Sequence, residues 1–213
     1  MSSAPLGVIL AGGLATRMGG GDKGRLQVGG QSLLSRVIDR LAPQVAGLAL
    51  NANGDPDRFA DLGLPVIADS IEGFAGPLAG VLAGLDWAAE QGADTIVTAA
   101  ADTPFFPQDL VTRLTTASEG MAQPLVLATT PRTGDEALKS GGRSKVNRHP
   151  AFGLWPVALR EDLRAALQGG LRKVVLWTDQ HNGREALFEA DPFDPFFNIN
   201  TPEDLAKAEA LLK

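Results

Sequence analysis

At 213 residues, with 44% hydrophobic and 21% charged side chains, the chain has the composition of a soluble globular protein long enough for one substantial α/β core, not of a disordered or membrane-embedded one. A formal charge of −6 argues against a dedicated nucleic-acid binder, which needs a basic face to displace counterions, and the absence of cysteine excludes disulfides, thiolate metal centres and cysteine nucleophiles. No run reaches the roughly 18 apolar residues of a membrane span, and the N-terminus lacks a basic signal region, so a cytoplasmic protein without membrane contact is expected.

Apolar runs of strand length recur at 6–10, 47–51, 65–68, 95–100 and 124–129, each closed by polar or glycine-rich residues. Between them, Leu33, Leu34, Val37, Ile38 and Leu41 keep one helical face, and Leu78, Val81, Leu82 and Leu85 keep another. This alternation predicts an α/β fold: a single three-layer Rossmann-like domain over residues 1–213, with a mostly parallel central sheet and helices on both faces. Ligands of such sheets bind beyond the carboxyl ends of the strands, which directs attention to Gly12 and Gly13, Asn51, Asp69 and Asp102.

Residues 131–148 differ in kind: Arg132, Lys139, Arg143, Lys145 and Arg148 stand among glycines and serines with few apolar anchors, the pattern of a long mobile loop. It reads as a solvated insertion in preference to a lid over an anionic ligand. Further on, 152–155 has the pattern of a strand, 159–168 that of a helix, and 202–211 that of a C-terminal helix with Thr201 as N-cap and Asp204 at the third helical position.

The densest local signal lies between Leu10 and Gly24, where LAGGLATRMGGGDKG follows the first strand. Glycines let a ligand approach the backbone and its N–H groups, while Arg17 and Lys23 supply positive charge for phosphates. A flexible surface loop has the same composition; position after strand one favours an anion cradle. No glycine precedes Lys-Ser or Lys-Thr, so the P-loop pattern fails, and the match of Gly19, Gly21 and Gly24 to the dinucleotide fingerprint starts too far beyond the strand.

Asp102 ends the fourth strand and can hold Mg²⁺ together with phosphate oxygens, although Asp-Thr-Pro is also ordinary turn chemistry. Asp69 and Asn51 can read a base or ribose or simply form turns, and Asn198 and Asn200, two residues apart, put two amides on one side of an extended segment or serve a helix cap. His149 and His181 are too few for a zinc site, and Trp87, Trp155 and Trp177 read as core or pocket walls.

Together the motifs LAGG at 10–13, RMGGGDKG at 17–24, NAN at 51–53, DS from Asp69, GPLAG at 76–80, DTPF at 102–105 and NINTPEDL at 198–205 resemble those of the molybdenum cofactor guanylyltransferases, within the nucleotidyltransferases of Rossmann-like fold. The resemblance spans nearly the whole chain. It implies transfer of GMP from GTP to molybdenum-loaded molybdopterin, with release of pyrophosphate. Leu10, Ala11, Gly12, Gly13, Lys23, Asn51, Asp69 and Asp102 would then bind GTP, Asp102 would hold Mg²⁺, and Arg17, Lys23 and Asp102 would be catalytic.

By the same resemblance Asn198, Asn200, Arg172 and Lys173 would face the molybdopterin, the nucleotide half lying at about 1–120 and the cofactor half at about 121–213. The LAGG turn with Gly13 looks like the guanine-specific form, since the resemblance implies LAAG at this turn in the cytidylyltransferases of the pathway. Ser32 stands where the family often has proline, which should alter a turn slightly. Implied partners are GTP, a molybdopterin-type cofactor, and apo-molybdoenzymes or their chaperones. The competing expectations are a nucleotidyltransferase using CTP or a sugar phosphate, and a noncatalytic nucleotide- or cofactor-binding protein.

Overall fold

The computed structural model describes residues 4–12, 23–71, 76–132 and 146–212. Its main sheet has seven strands in the order β5-β4-β1-β6-β8-β7-β9: β1 (Leu6–Leu10), β4 (Leu48–Asn51), β5 (Val66–Ile67), β6 (Thr95–Ala100), β7 (Val126–Pro131), β8 (Val146–Pro156) and β9 (Arg184–Leu187). A two-stranded hairpin, β2 (Gln27–Val28) with β3 (Gln31–Ser32), stands apart from it. The pairs β1/β4, β1/β6, β4/β5 and β7/β9 are parallel, whereas β8 runs antiparallel to both neighbours. The sheet is mostly parallel, as the alternation of strands and helices predicts.

Alternate residues of each central strand feed opposite faces, so one strand serves two cores. Ile9, Val97 and Ala99 pack with α1 (Leu33–Leu41) and α3 (Leu110–Ala117) through Leu34, Val37 and Leu114. Val8 and Ile96 pack on the other face with α2 (Pro77–Glu90), α4 (Arg160–Gln168) and α5 (Val174–Gln180) through Leu82, Leu163 and Trp177. Trp155 and Trp177 are fully buried there, and Trp87 is partly buried against the same cluster.

A third, smaller cluster fastens the chain's end to the sheet. Val28, Leu33, Phe105, Ile199 and Ala208 are buried together, joining the hairpin, the turn after β6 and α6 (Pro202–Ala210). The hydroxyl of Thr201 accepts from Asp204 N–H (3.2 Å) and the Asp204 carboxylate accepts from Thr201 N–H (3.0 Å), a reciprocal cap on α6. Ser32 is the N-cap of α1, its hydroxyl accepting from Ser35 N–H at 3.0 Å, so serine at this position starts a helix.

The expectation of a loop over 131–148 is corrected at both ends. β7 runs through Pro131 and β8 begins at Val146, with Pro131 opposite Val146 and Thr129 opposite Arg148; residues 133–145 lie outside the described ones. Arg148 is a strand residue held by Glu185 (2.6 Å) and Asp179 (2.8 Å), not a loop cation. Partners on β9 and α5 make the charged extension of the sheet tenable, and that complementarity is invisible in a window of polar residues.

Candidate active site

Four parallel-strand ends open onto one cavity of about 550 Å³, a size ordinary for a small-molecule site. Leu10, Ala11 and Gly12 arrive from β1, Asn51 and Asn53 from β4, Asp69 from β5, and Ala101 with Asp102 from β6. Backbone bonds knit these ends: Ala11 N–H donates to Asn51 O (2.8 Å), Ala101 N–H to Leu10 O (3.1 Å) and Ala52 N–H to Ile67 O (3.0 Å).

On one side of the cavity Asp69 is gripped by two amides. Asn51 Nδ2 donates to its Oδ1 at 3.0 Å and to Ile67 O at 3.2 Å, while Asn53 Nδ2 donates to Oδ2 at 2.8 Å. Gly76, N-cap of α2, also lines the cavity, in a backbone region closed to other residues (φ 145°), with Pro77 set at the first helical turn. Gly80, one turn on, lets α2 pass directly over Asn51: a Cβ there would run into Asn51 Oδ1 and lie 2.9 Å from Leu10 Cδ2.

On the other side Lys23 Nζ donates to Asp102 Oδ2 at 2.5 Å and also to Asn200 Oδ1. The two charged side chains are only 12% and 22% exposed, so this ion pair is worth more than a surface one. Thr103, fully buried, donates through its hydroxyl to Asn198 Oδ1, and Ile199 N–H donates to Asp102 O at 2.9 Å. Buried Ile199 thereby turns its neighbours Asn198 and Asn200 toward the strand-end pair Asp102–Thr103.

Of the residues expected from sequence, Leu10, Ala11, Gly12, Lys23, Asn51, Asp69, Asp102 and Asn198 line the cavity, and Asn200 reaches it through Lys23. Gly13 and Arg17 lie outside the described residues. Arg172 and Lys173 are not among the lining residues; they stand on the connection between α4 and α5, beside Val174, which packs with Trp155 and Trp177. Sequence reasoning gave no site role to Asn53, Thr103, Gly76 or Pro77, although each belongs to a quoted motif, nor to Ala151. His181 Nε2 donates to Asp162 Oδ1 at 2.6 Å, remains part-exposed and is not among the residues lining this cavity.

The MobA-like NTP transferase domain description matches residues 7–183 of the chain. A molybdenum cofactor guanylyltransferase of Rhodopseudomonas palustris (strain HaA2) is 53% identical over 98% of this chain and 92% of its own length. The chain belongs to the molybdenum cofactor guanylyltransferase family. Another guanylyltransferase of that name, from Bradyrhizobium sp. (strain ORS 278), is 51% identical over 99% of the chain and 94% of its length. Among solved structures, molybdopterin-guanine dinucleotide biosynthesis protein A from Archaeoglobus fulgidus superposes with a TM-score of 0.68 at 22% identity, covering 97% of this chain and 98% of that one. This last likeness speaks for the fold, and the guanylyltransferase relatives carry the family.

Proposed function

We propose that this guanylyltransferase moves GMP from GTP onto the terminal phosphate of molybdenum-loaded molybdopterin, releasing pyrophosphate. The observation that carries the reading is the division of one cavity: a held carboxylate, Asp69, at one end, and a lysine–aspartate pair tied to the Asn198–Asn200 segment at the other. The first end suits a nucleoside, and the second suits the phosphates and the acceptor. We place the reaction in the cytoplasm, the compartment that supplies GTP.

An oxygen of the acceptor phosphate attacks the α-phosphorus of GTP, a new P–O bond forms, and the bond to the bridging oxygen breaks as pyrophosphate leaves. That nucleophile is already anionic, so the protein's task is alignment and charge stabilisation, not proton removal. Lys23 offers its ammonium to the phosphates; the backbone at Ala11 and Gly12 lets them come close. Among the described residues no cluster of three or more His, Asp or Glu side chains could cage a metal ion. A single carboxylate at a strand end nevertheless fits Mg²⁺, which keeps most of its waters and completes its shell with substrate phosphates. Asp102 would hold it, and the ion would supply charge neutralisation on the phosphates.

The test incubates purified protein with Mg²⁺, molybdenum-loaded molybdopterin and one of GTP, CTP, ATP or UTP, measuring pyrophosphate and the mass of the product. A guanine dinucleotide formed only from GTP is expected, and Asp102→Asn should lower the rate by about 10²-fold or more. Product from CTP instead would replace the nucleotide in this reading, and no product from any triphosphate would sink it.

A further inference from the structure

Among the described residues around the cavity, Asn53 differs in holding both the main chain and the side chain of a single partner. Its Nδ2 donates to Asp69 Oδ2 at 2.8 Å, and its Oδ1 accepts from Asp69 N–H, also at 2.8 Å. The two bonds close a ring across 16 residues of sequence. With Asn51 on Oδ1, each carboxylate oxygen has one amide donor, and each keeps a second lone pair for a ligand.

The holder is itself held. Arg58 Nη2 donates to Asn53 O at 2.6 Å and Arg58 Nε to Asp55 O at 3.1 Å, folding the chain after β4 back onto Asn53. Both Asn53 and Asp69 line the cavity, so the ring stands at its wall. Only an amide satisfies this geometry: the ring needs one acceptor and one donor, whereas aspartate has two acceptors and would face Asp69 with like charge.

We propose that Asn53 is a positioning residue for nucleotide recognition, fixing Asp69 so that its two oxygens present a rigid acceptor pair to adjacent N–H or O–H donors of the nucleoside. The proposal rests on the reading of this cavity as a nucleotide site and deepens it. Asn53 acts through Asp69, so its worth should vanish when the Asp69 carboxylate is gone.

A double-mutant cycle reads this directly, with GTP and Mg²⁺ titrated calorimetrically into wild type, Asn53→Ala, Asp69→Ala and the pair, each checked for its unfolding midpoint. Loss of a charge-assisted bond predicts about tenfold or greater weakening of GTP binding in Asn53→Ala, but less than about twofold in the Asp69→Ala background. Asn53→Asp, which keeps the bond from Asp69 N–H and adds repulsion, should bind GTP more weakly than Asn53→Ala. Additive losses would overturn the proposal by making Asn53 a direct nucleotide contact, and an unchanged affinity with only a lowered midpoint would make it a structural residue. Wild type that binds no triphosphate would remove the nucleotide reading itself, and the proposal with it.

Discussion

Gly80 carries a constraint that its neighbours in α2 do not, because the atom a side chain would strike is the amide oxygen of Asn51, which is itself only 4% exposed. Asn51 cannot swing aside without giving up its bonds to Ile67 O and Asp69. Gly80→Ala should therefore cost about 1–3 kcal/mol, the usual range for overpacking, and weaken GTP binding along with it. Denaturant melts and calorimetry on the same sample check both; stability and affinity both unchanged would show that α2 shifts freely. At this scale the sequence was legible where a cavity-lining side chain coincides with a strand end, as for Asn51, Asp69 and Asp102. It was not legible for Asn53 or Thr103, which act by holding another side chain 16 and 95 residues away. Nothing in local spacing encodes a partner so distant.

Among the elements, the long strand β8 departs most from expectation. Its apolar half, from Phe152 to Trp155, announced itself; its first half carries Asn147, Arg148 and His149 and has no hydrophobic alternation to betray it. There His149 stacks on Phe196 with ring centroids 4.4 Å apart and shares a 2.9 Å hydrogen bond between Nε2 and the Thr130 hydroxyl. Burial pushes its imidazole below the ordinary value of 6.5, with the charge of Asp194 working against the shift. A folded pKa below the unfolded one means that this stabilisation is full above about pH 6.5 and is lost as pH falls through the folded value. His149→Gln, which can still bond Thr130, should lose less stability than wild type between pH 7 and pH 5. Melts across that range decide it, and parallel curves would rule the imidazole out. The helices were easier to read, since 3.6-residue periodicity and caps such as Thr201 are local, whereas α5 is too short to show a period.

For the molecule as a whole, the part of one core built on α4 and α5 stands apart from the cavity, whereas α2 serves both. Trp177 is fully buried on the face of α2, α4 and α5, packs 6.3 Å from Trp155 between ring centroids, and donates to Asp162 Oδ1 at 2.9 Å. Trp177→Ala should cost about 3–5 kcal/mol, a large part of the stability of a typical domain, yet leave GTP affinity within about twofold while the protein stays folded, since neither α4 nor α5 lines the cavity. A comparable fall in affinity would mean that the two faces are coupled. The three-layer arrangement was legible because each face leaves its own pattern in the strands; the antiparallel course of β8 was not, since direction is set by connections and not by composition.

Lys23 has one more consequence, for the order in which the protein is loaded. The cavity carries its own counterion: one ammonium neutralises Asp102 and at the same time latches Asn200. On the proposed reading, phosphates that draw this ammonium away would release both residues in a single movement, and Asp102 would then be free to hold a divalent ion arriving with them. The nucleotide would thus act as the key to the acceptor's half of the cavity, and a free divalent ion without it would compete with a lysine already in the seat.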